Sequence, residues 1–130
     1  MPQFSANSLS KLATCDERLQ QIMKVVIEHW DCTIVEGSRP QEVQDEHYRT
    51  GRSKVQYPHS KHNSSPSAAI DVAPYPIDWN DLARFRYFAG FVMGVATMHG
   101  VKLIWGGDWD SDRSCKDQTF HDLPHFELAE

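Results

Sequence analysis

The stretch DERLQQIMKVVIEHWDCTIVE, residues 16–36, joins a helical pattern directly to a strand pattern. Apolar residues in its first part recur at steps of three and four, which predicts an amphipathic helix from about Asp16 to Trp30. The apolar positions are Leu19, Ile22, Met23, Val26, Ile27 and Trp30. Thr14 and Glu17 have the spacing of a capping box at the start of this helix. The short, β-branched segment Cys32–Glu36 then predicts a buried strand.

Downstream of this unit, the sequence predicts a mostly polar helix over Pro40–Thr50, with Pro40 in its first turn and Gly51 as its stop. Residues 52–67 are rich in Ser, Asn, Pro, Lys and His and have no periodicity. They therefore form a long loop, and such loops inside compact domains are usually functional or disordered. A short strand, Ala69–Ala73, ends at the turn Pro74-Tyr-Pro76.

A second long helix is predicted to open at Asn80 or Asp81 and to end at Gly100. Its inward positions are Leu82, Phe85, Ala89, Val92, Met93 and Ala96. The remaining elements are a strand (Val101–Trp105), a polar loop (Gly106–Thr119) and a final strand (His125–Leu128). Together these elements predict an α+β fold with helices packed on a small antiparallel sheet, in a single domain that spans residues 1–130.

Composition excludes several classes of function. The chain has 130 residues, 40% of them hydrophobic, which suits one globular domain with a real core. Its net charge of −5 argues against nucleic acid as a partner, which would need a basic stripe. The longest apolar run, residues 88–98, is broken by glycines and too short for membrane insertion. The first twelve residues lack the basic region and the apolar region that are typical of a secretory signal.

The cysteines predict neither a metal site nor a redox motif. Cys15, Cys32 and Cys115 are widely spaced and form no CxxC pair. Reduced thiols in a protein made in the cytosol are the simplest interpretation.

Two segments carry the chemistry. The first is Ser60-Lys-His62-Asn-Ser-Ser-Pro-Ser-Ala-Ala69-Ile-Asp71, which places an aspartate inside an apolar strand. Such burial costs free energy unless the carboxylate is paired, is coordinated to a metal, or caps a backbone amide. The second is Asp122-Leu-Pro-His125-Phe-Glu127. In a regular strand, residues three apart point to opposite faces, so Asp122 and His125 share a site only if Leu123-Pro124 kinks the chain.

Two imidazoles and one carboxylate are the ligand set of a hydrolytic zinc site. They fill three tetrahedral positions and leave the fourth for a water, whose pKa the metal lowers to about 7. A carboxylate that does not bind the metal then accepts the proton, and Asp122 is the candidate. The alternative is that Asp122 caps a turn and His125 packs on a sheet, and the residues alone leave both interpretations open.

At these segments the sequence resembles the zinc D-alanyl-D-alanine carboxypeptidases and dipeptidases of the VanY and VanX type, including their phage branch of L-alanyl-D-glutamate endopeptidases. The shared motifs are Ser60-x-His62, Ala69-x-Asp71 and Asp122-Leu-Pro-His125-Phe-Glu127, and upstream Gly37-Ser-Arg39 with Gln44. The phage branch also carries a stretch like Trp105-Gly-Gly-Asp108-Trp109. The resemblance covers about Val35–Leu128 and implies a Hedgehog/DD-peptidase-like domain.

The resemblance implies a role for each of these residues. His62, Asp71 and His125 would be the zinc ligands and Asp122 the catalytic acid/base. Arg39 would hold the substrate carbonyl or the developing oxyanion, which suits a permanently charged guanidinium. The alternative for Arg39 is a surface salt bridge with Glu36 or Glu42. The expected substrate-binding residues are Gln44, Ser60, Trp105, Asp108 and Trp109.

One departure from the common family pattern lies between the first two ligands. The family usually separates histidine and aspartate by fewer residues and has a glycine where this chain has Ser67. Because His62 lies on a loop, the extra residues can bulge outward without moving the ligand. The longer form, followed by Pro74-Tyr-Pro-Ile-Asp-Trp79, resembles the phage branch.

The function expected from this resemblance is that of an endolysin. The chain would be a monomeric zinc peptidase that hydrolyses the L-Ala–D-Glu bond of the peptidoglycan stem peptide. It would be made in the host cytoplasm and reach the cell wall after the membrane is permeabilised. The alternatives are a D-Ala-D-Ala carboxypeptidase or dipeptidase, and a non-catalytic zinc-binding module.

Overall fold

The computed structural model of the chain describes residues 2–116, 118 and 120–129. Along the chain the elements are α1 (Ala6–Leu12), α2 (Glu17–His29), β1 (Cys32–Glu36), α3 (Gln41–Arg49), a 3-10 turn (Lys61–Asn63), β2 (Ala69–Pro74), α4 (Leu82–Met98), β3 (Leu103–Trp105) and β4 (His125–Leu128). The predicted α+β class is confirmed. Asp117 and Thr119 of the predicted polar loop lie outside the described residues, and a single domain over the whole chain stays a prediction.

The four strands form one antiparallel sheet in the order β1-β2-β4-β3. The last strand of the chain is therefore an inner strand, with β2 on one side and β3 on the other. Phe126 of β4 pairs with Ile70 on one side and with Trp105 on the other. This arrangement places the C-terminal segment next to the strand that carries Asp71.

The core lies between the sheet and the two long helices. Helix α2 packs on α4, and α4 contacts β2 and β3. The predicted stripe of α2 is buried from Leu19 to Ile27, whereas Trp30 lies just past the helix and is partly buried. In α4 the prediction of Leu82 as an inward residue is wrong, since it is 48% exposed at the first turn, and Phe88 is buried instead. Among the described residues, no helix has the length and apolar character needed to cross a membrane.

Local interactions at the helix starts differ from the predictions. Helix α2 begins with Asp16, whose carboxylate accepts from the backbone N–H of Arg18 at 2.9 Å, so the predicted capping box is wrong. The hydroxyl of Thr14 instead donates to the carbonyl of Lys11 and accepts from the backbone N–H of Ser38. Pro40 precedes α3 rather than opening it. Asp81 caps α4, as one of the two predicted positions.

Helix α1 has no counterpart in the sequence analysis. It packs on β1, and its buried Ser8 accepts a hydrogen bond from the backbone N–H of Ile34 at 3.1 Å. An edge strand exposes unpaired backbone groups. The hydroxyl of Ser8 satisfies one of them, which a search for apolar periodicity does not detect.

Candidate metal centre and its cleft

Two of the predicted ligands are cross-strand partners. Asp71 of β2 lies directly opposite His125 of β4 in the antiparallel register. Side chains at directly opposed positions lie on the same face of a sheet and close to one another. The sheet therefore brings together a carboxylate and an imidazole that are 54 residues apart in sequence.

The kink required before β4 is present. The backbone N–H of His125 donates to the carbonyl of Asp122 at 3.1 Å, which closes a turn over Leu123-Pro124. The indole N–H of Trp105 donates to the carbonyl of Leu123 at 2.8 Å and holds this turn against the core. As a result, Asp122 Oδ2 lies 3.9 Å from His125 Nδ1, on the same side of the chain.

The third predicted ligand, His62, lies in the 3-10 turn. Ser60 caps this turn, and its hydroxyl accepts from the backbone N–H of His62 at 3.2 Å. The imidazole is 1% exposed, and its Nδ1–H donates to the carbonyl of Gly37 at 2.7 Å. In the neutral imidazole this bond places the proton on Nδ1, so Nε2 then has a lone pair for a metal. Residues 64–66, which lie between the first two ligands, are exposed, and the longer spacing leaves His62 beside Asp71.

The three ligand atoms form a triangle with equal sides. His62 Nε2, His125 Nδ1 and Asp71 Oδ1 are each 3.2 Å from the other two. Ligands at about 2.0–2.1 Å from a tetrahedral zinc ion lie roughly 3.3 Å apart. The described residues therefore offer a group that fits a metal ion with three protein ligands.

The imidazole of His125 is oriented by Glu127, which in turn forms an ion pair with Lys61. His125 Nε2–H donates to Glu127 Oε1 at 2.8 Å, so that Nδ1 faces the other ligands. Lys61 Nζ lies 3.5 Å from the second oxygen of Glu127 and also donates to the carbonyl of Leu128. Glu127 was not among the predicted site residues, although its position two residues after His125 places it on the same face of β4.

The electrostatics of this group favour a cation. Burial lowers the pKa of His125, but hydrogen bonds to Asp71 and Glu127 outweigh it and raise this pKa to about 10. Burial raises the pKa of Asp71, but the charge of His62 and hydrogen bonds from both histidines hold this pKa far below its usual range. The negative potential that retains a proton on His125 would also retain a metal ion in its place.

Asp122 has the properties of a general base. Burial, and then the negative charge of Asp71, raise the pKa of Asp122 to about 6. About a third of its side chain (32%) remains exposed to the cleft. A carboxylate with a pKa near neutrality accepts a proton efficiently and releases it again.

Arg39 lies beside the ligand group and is not on the surface. Its Nε–H donates to Glu36 Oε1 at 2.8 Å, its Nη2 also contacts Glu36, and its Nη1 donates to Gln44 Oε1 at 2.8 Å. Nη2 lies 3.7 Å from Asp71 Oδ2, the carboxylate oxygen that faces away from both histidines. The alternative interpretation, an ion pair with Glu36, is therefore present, but the pair is largely buried and not on the surface. Two N–H groups of the guanidinium remain outside these bonds.

A cleft of about 840 Å³ opens over the ligand group. Ser60 and Trp109 line it, as expected for substrate-binding residues. The indole of Trp109 lies over the imidazole of His125, with 5.4 Å between ring centroids, and its N–H donates to the carbonyl of Phe120. The histidines that line the cleft outside the ligand group are His47, His59 and His121.

Three residues predicted to bind substrate lie outside this cleft. Gln44 is fully buried, and its amide is used by Arg39, Ser53 and Val55. Trp105 is 8% exposed and belongs to the core. Asp108 accepts from the backbone of the loop that follows it, and its carboxylate lies within 4.8 Å of those of Asp110 and Asp112. Their positions indicate support of the cleft walls rather than contact with a substrate.

Gly106 explains part of the Trp105–Trp109 motif. Its backbone N–H donates to the carbonyl of His125, the first residue of β4, and its carbonyl accepts from the backbone N–H of Asp122, each at 2.8 Å. A Cβ atom at this position would overlap the carbonyl oxygen of Asp122. Glycine is therefore required for the close approach that positions the candidate base.

Comparisons with known proteins show the family to which the chain belongs. Residues 1–129 match the family described as phage L-alanyl-D-glutamate peptidase. The chain is 33% identical to the L-alanyl-D-glutamate peptidase of Escherichia phage T5 over 134 aligned positions, which cover 97% of each chain. Its fold is similar to the crystal structure of the Serratia marcescens L-Ala D-Glu endopeptidase ChiX, with a TM-score of 0.76 and 24% identity over 97% of this chain and 90% of that one. The resemblance drawn from the motifs is thus confirmed for its phage branch: the chain belongs to the phage L-alanyl-D-glutamate peptidase family.

Proposed function

We propose that this chain is a zinc peptidase that hydrolyses the bond between L-alanine and D-glutamate in the stem peptide of peptidoglycan. The observation that carries the proposal is the 3.2 Å triangle of two imidazole nitrogens and one carboxylate oxygen at the base of an open cleft. Membership of a family of peptidases, and a relative in phage T5 named for this activity, support the choice of reaction and bond.

Zinc suits the ligand group better than the other common divalent ions. Calcium takes six to eight oxygen ligands, and magnesium retains several waters in an octahedron. His62 and His125 supply two nitrogens, and the spacing of the ligand atoms matches a tetrahedron with one open position. The two imidazoles are also oriented by Gly37 and Glu127, as is usual around zinc.

Different residues of the chain have different roles in the proposed reaction. Zinc, when bound, would supply a Lewis acid that polarises the scissile carbonyl and acidifies a water. Asp122, as a carboxylate, accepts the proton of the attacking water and passes it to the leaving amine. Arg39 directs its remaining N–H groups at the oxygen where negative charge develops, while Glu36 and Gln44 keep the guanidinium in place.

We infer action on the cell wall from inside the host. The phage origin of the T5 relative supports synthesis in the host cytoplasm and access to the wall once the membrane has been permeabilised. One chain supplies every candidate ligand and the candidate base, which supports a monomer as the active form.

The decisive experiment combines metal analysis with digestion of purified peptidoglycan. We expect one zinc per chain and, by mass spectrometry, free stem peptides that begin at D-glutamate. A chelator should abolish digestion, and added zinc should restore it. Release of terminal D-alanine would instead identify a D,D-carboxypeptidase, and stoichiometric zinc without any digestion would identify a non-catalytic module.

A further inference from the structure

The cleft is lined by both acidic and basic side chains. The carboxylates of Asp122 and Glu127 lie beside the candidate ligand His125. Arg52 and Lys54, here called the basic wall, line the same cleft with exposed side chains. A basic wall is unexpected in a chain of net charge −5, and it calls for a negatively charged partner.

The cations of the cleft differ in their partners. Arg39 and Lys61 are paired with Glu36 and Glu127 respectively. Within residues 2–116, 118 and 120–129, by contrast, neither Arg52 nor Lys54 has a carboxylate within 4.0 Å, so their charges are available to a ligand.

Lys54 is held against an aromatic wall of the cleft. Lys54 Nζ lies 5.4 Å from the ring centroid of Phe120, within the range of a cation–π contact. Phe120 stacks on Trp109, and Trp109 covers His125, so a continuous row of rings leads from Lys54 to the candidate metal centre. Lys54 therefore belongs to the same site as the candidate ligands.

The segment that carries both cations is also tied to Arg39. The buried amide of Gln44 donates to Ser53 Oγ at 3.0 Å and to the carbonyl of Val55, while its oxygen accepts from Arg39. The backbone N–H of Ser53 donates to the carbonyl of His47 at 3.0 Å. These bonds fix residues 53–55 relative to the guanidinium of Arg39, to which the proposed function assigns the scissile carbonyl.

His47 is an unpaired polar group in the same cleft. Its side chain lines the cleft, and its Nδ1 is buried with no hydrogen-bond partner among the described residues. Burial, followed by the charge of Arg39, lowers the pKa of His47; Arg52 adds to this effect, whereas Glu36 and Asp71 oppose it. A buried unpaired nitrogen and the nearby charge of Arg52 suit a polar ligand that brings both negative charge and a hydrogen-bonding group.

We propose that Arg52 and Lys54 bind a free carboxylate of the stem peptide and so determine specificity for an acidic residue after the scissile bond. This inference rests on the proposed function. In the stem peptide, L-alanine is joined to the sugar through its amine, so every free carboxylate lies beyond the bond to be cut. The candidates are the α-carboxylate of D-glutamate and the free carboxylate of a diaminopimelate that follows it.

Matched substrates test the proposal. Steady-state kinetics would compare a stem tripeptide containing D-glutamate and diaminopimelate with two analogues: one with the α-carboxylate amidated to D-isoglutamine, and one with lysine in place of diaminopimelate. We expect one analogue to raise KM about five- to tenfold with little change in kcat, as for loss of a partly exposed charge pair. The analogue that does so identifies the carboxylate that is bound.

The variant Arg52→Gln/Lys54→Gln should lose this discrimination. It should cleave the unmodified tripeptide and the analogue with the raised KM at similar kcat/KM. Arg86→Gln removes an exposed charge from α4, outside the cleft, and should keep the wild-type ratio. The proposal is overturned if wild type cleaves all three peptides equally, or if the double variant discriminates as wild type does. Failure of wild type to cleave any of them, with zinc bound, would overturn the proposed function itself.

Discussion

At the scale of single residues, a substitution of Asp122 should affect turnover but not metal binding. Because its carboxylate is not one of the three ligand atoms, Asp122→Asn should retain zinc while kcat falls about 10²- to 10⁴-fold. Zinc content and muropeptide hydrolysis of the same preparation check this. His125→Ala is the matched control, since it should lose zinc and activity together. Substantial turnover by Asp122→Asn would remove Asp122 from the mechanism.

The raised pKa of Asp122 sets a direction for the pH profile. A base works only when ionised, so activity should be present above its pKa and fall as the pH drops through it. That pKa is about 6 from burial and the charge of Asp71, and the positive charge of bound zinc would lower it further. We therefore expect an acid limb in kcat/KM with a midpoint at or below about 6. Zinc content measured at each pH separates this limb from loss of metal, and a limb at higher pH would contradict the assignment.

Glu127 should act through His125. Glu127→Gln keeps a hydrogen-bond acceptor for His125 Nε2–H but removes the negative charge, and Glu127→Ala removes both. Partners of this kind typically change metal affinity about 10- to 100-fold, so zinc should bind more weakly in the order wild type, Gln variant, Ala variant. Competition with a chromophoric chelator measures this without any assay of activity. Equal affinities in the three proteins would show that the hydrogen bond from His125 to Glu127 does not contribute to metal binding.

At the scale of elements, substitution of Gly106 should lower activity far more than substitution of a helical glycine. A methyl group at residue 106 would collide with the backbone of Asp122, so Gly106→Ala should displace the base and lower kcat. Gly94→Ala is the matched control, because a Cβ there meets nothing within 4 Å. In a helix this substitution should stabilise the fold by about 0.5–1 kcal/mol. Urea unfolding together with kinetics checks both variants, and equal kcat would refute the role of Gly106.

Elements with strong periodicity could be predicted, and those held by single polar contacts could not. Helix α2 and strands β1 and β4 follow directly from the apolar pattern, and β4 has the predicted bounds. Helix α1 is short, and its link to the backbone of β1 is made by one buried serine, while the 3-10 turn has a serine cap. Neither contact leaves a periodic signal in the sequence.

The site shows the same division. The motifs placed His62, Asp71 and His125 together, because each motif carries its ligand in a fixed local frame. They did not show that Gln44 is buried behind Arg39, since this depends on how α3 folds against residues 53–55. The ion pair of Glu127 with Lys61 likewise joins β4 to a distant turn.

At the scale of the whole molecule, burial should divide the three thiols into two classes. Cys15 and Cys32 are 2% and 4% exposed, and burial raises their pKa values to about 11 and about 12. Cys115 is partly exposed on the polar loop. A thiol reagent at pH 8 should therefore modify one cysteine quickly in the native protein and all three in denaturant. Cys115→Ser should abolish the fast phase, and a fast phase that persists would show that the core opens readily.

The inner position of β4 has a consequence for how lytic activity first arises. Residues 125–128 lie between β2 and β3 and supply one of the three candidate ligands. A form of the protein in which these residues have not yet paired with β2 and β3 therefore lacks an inner strand and a candidate ligand at once. Completion of the sheet and completion of the candidate metal centre are one event, so we expect partly folded forms to bind metal weakly.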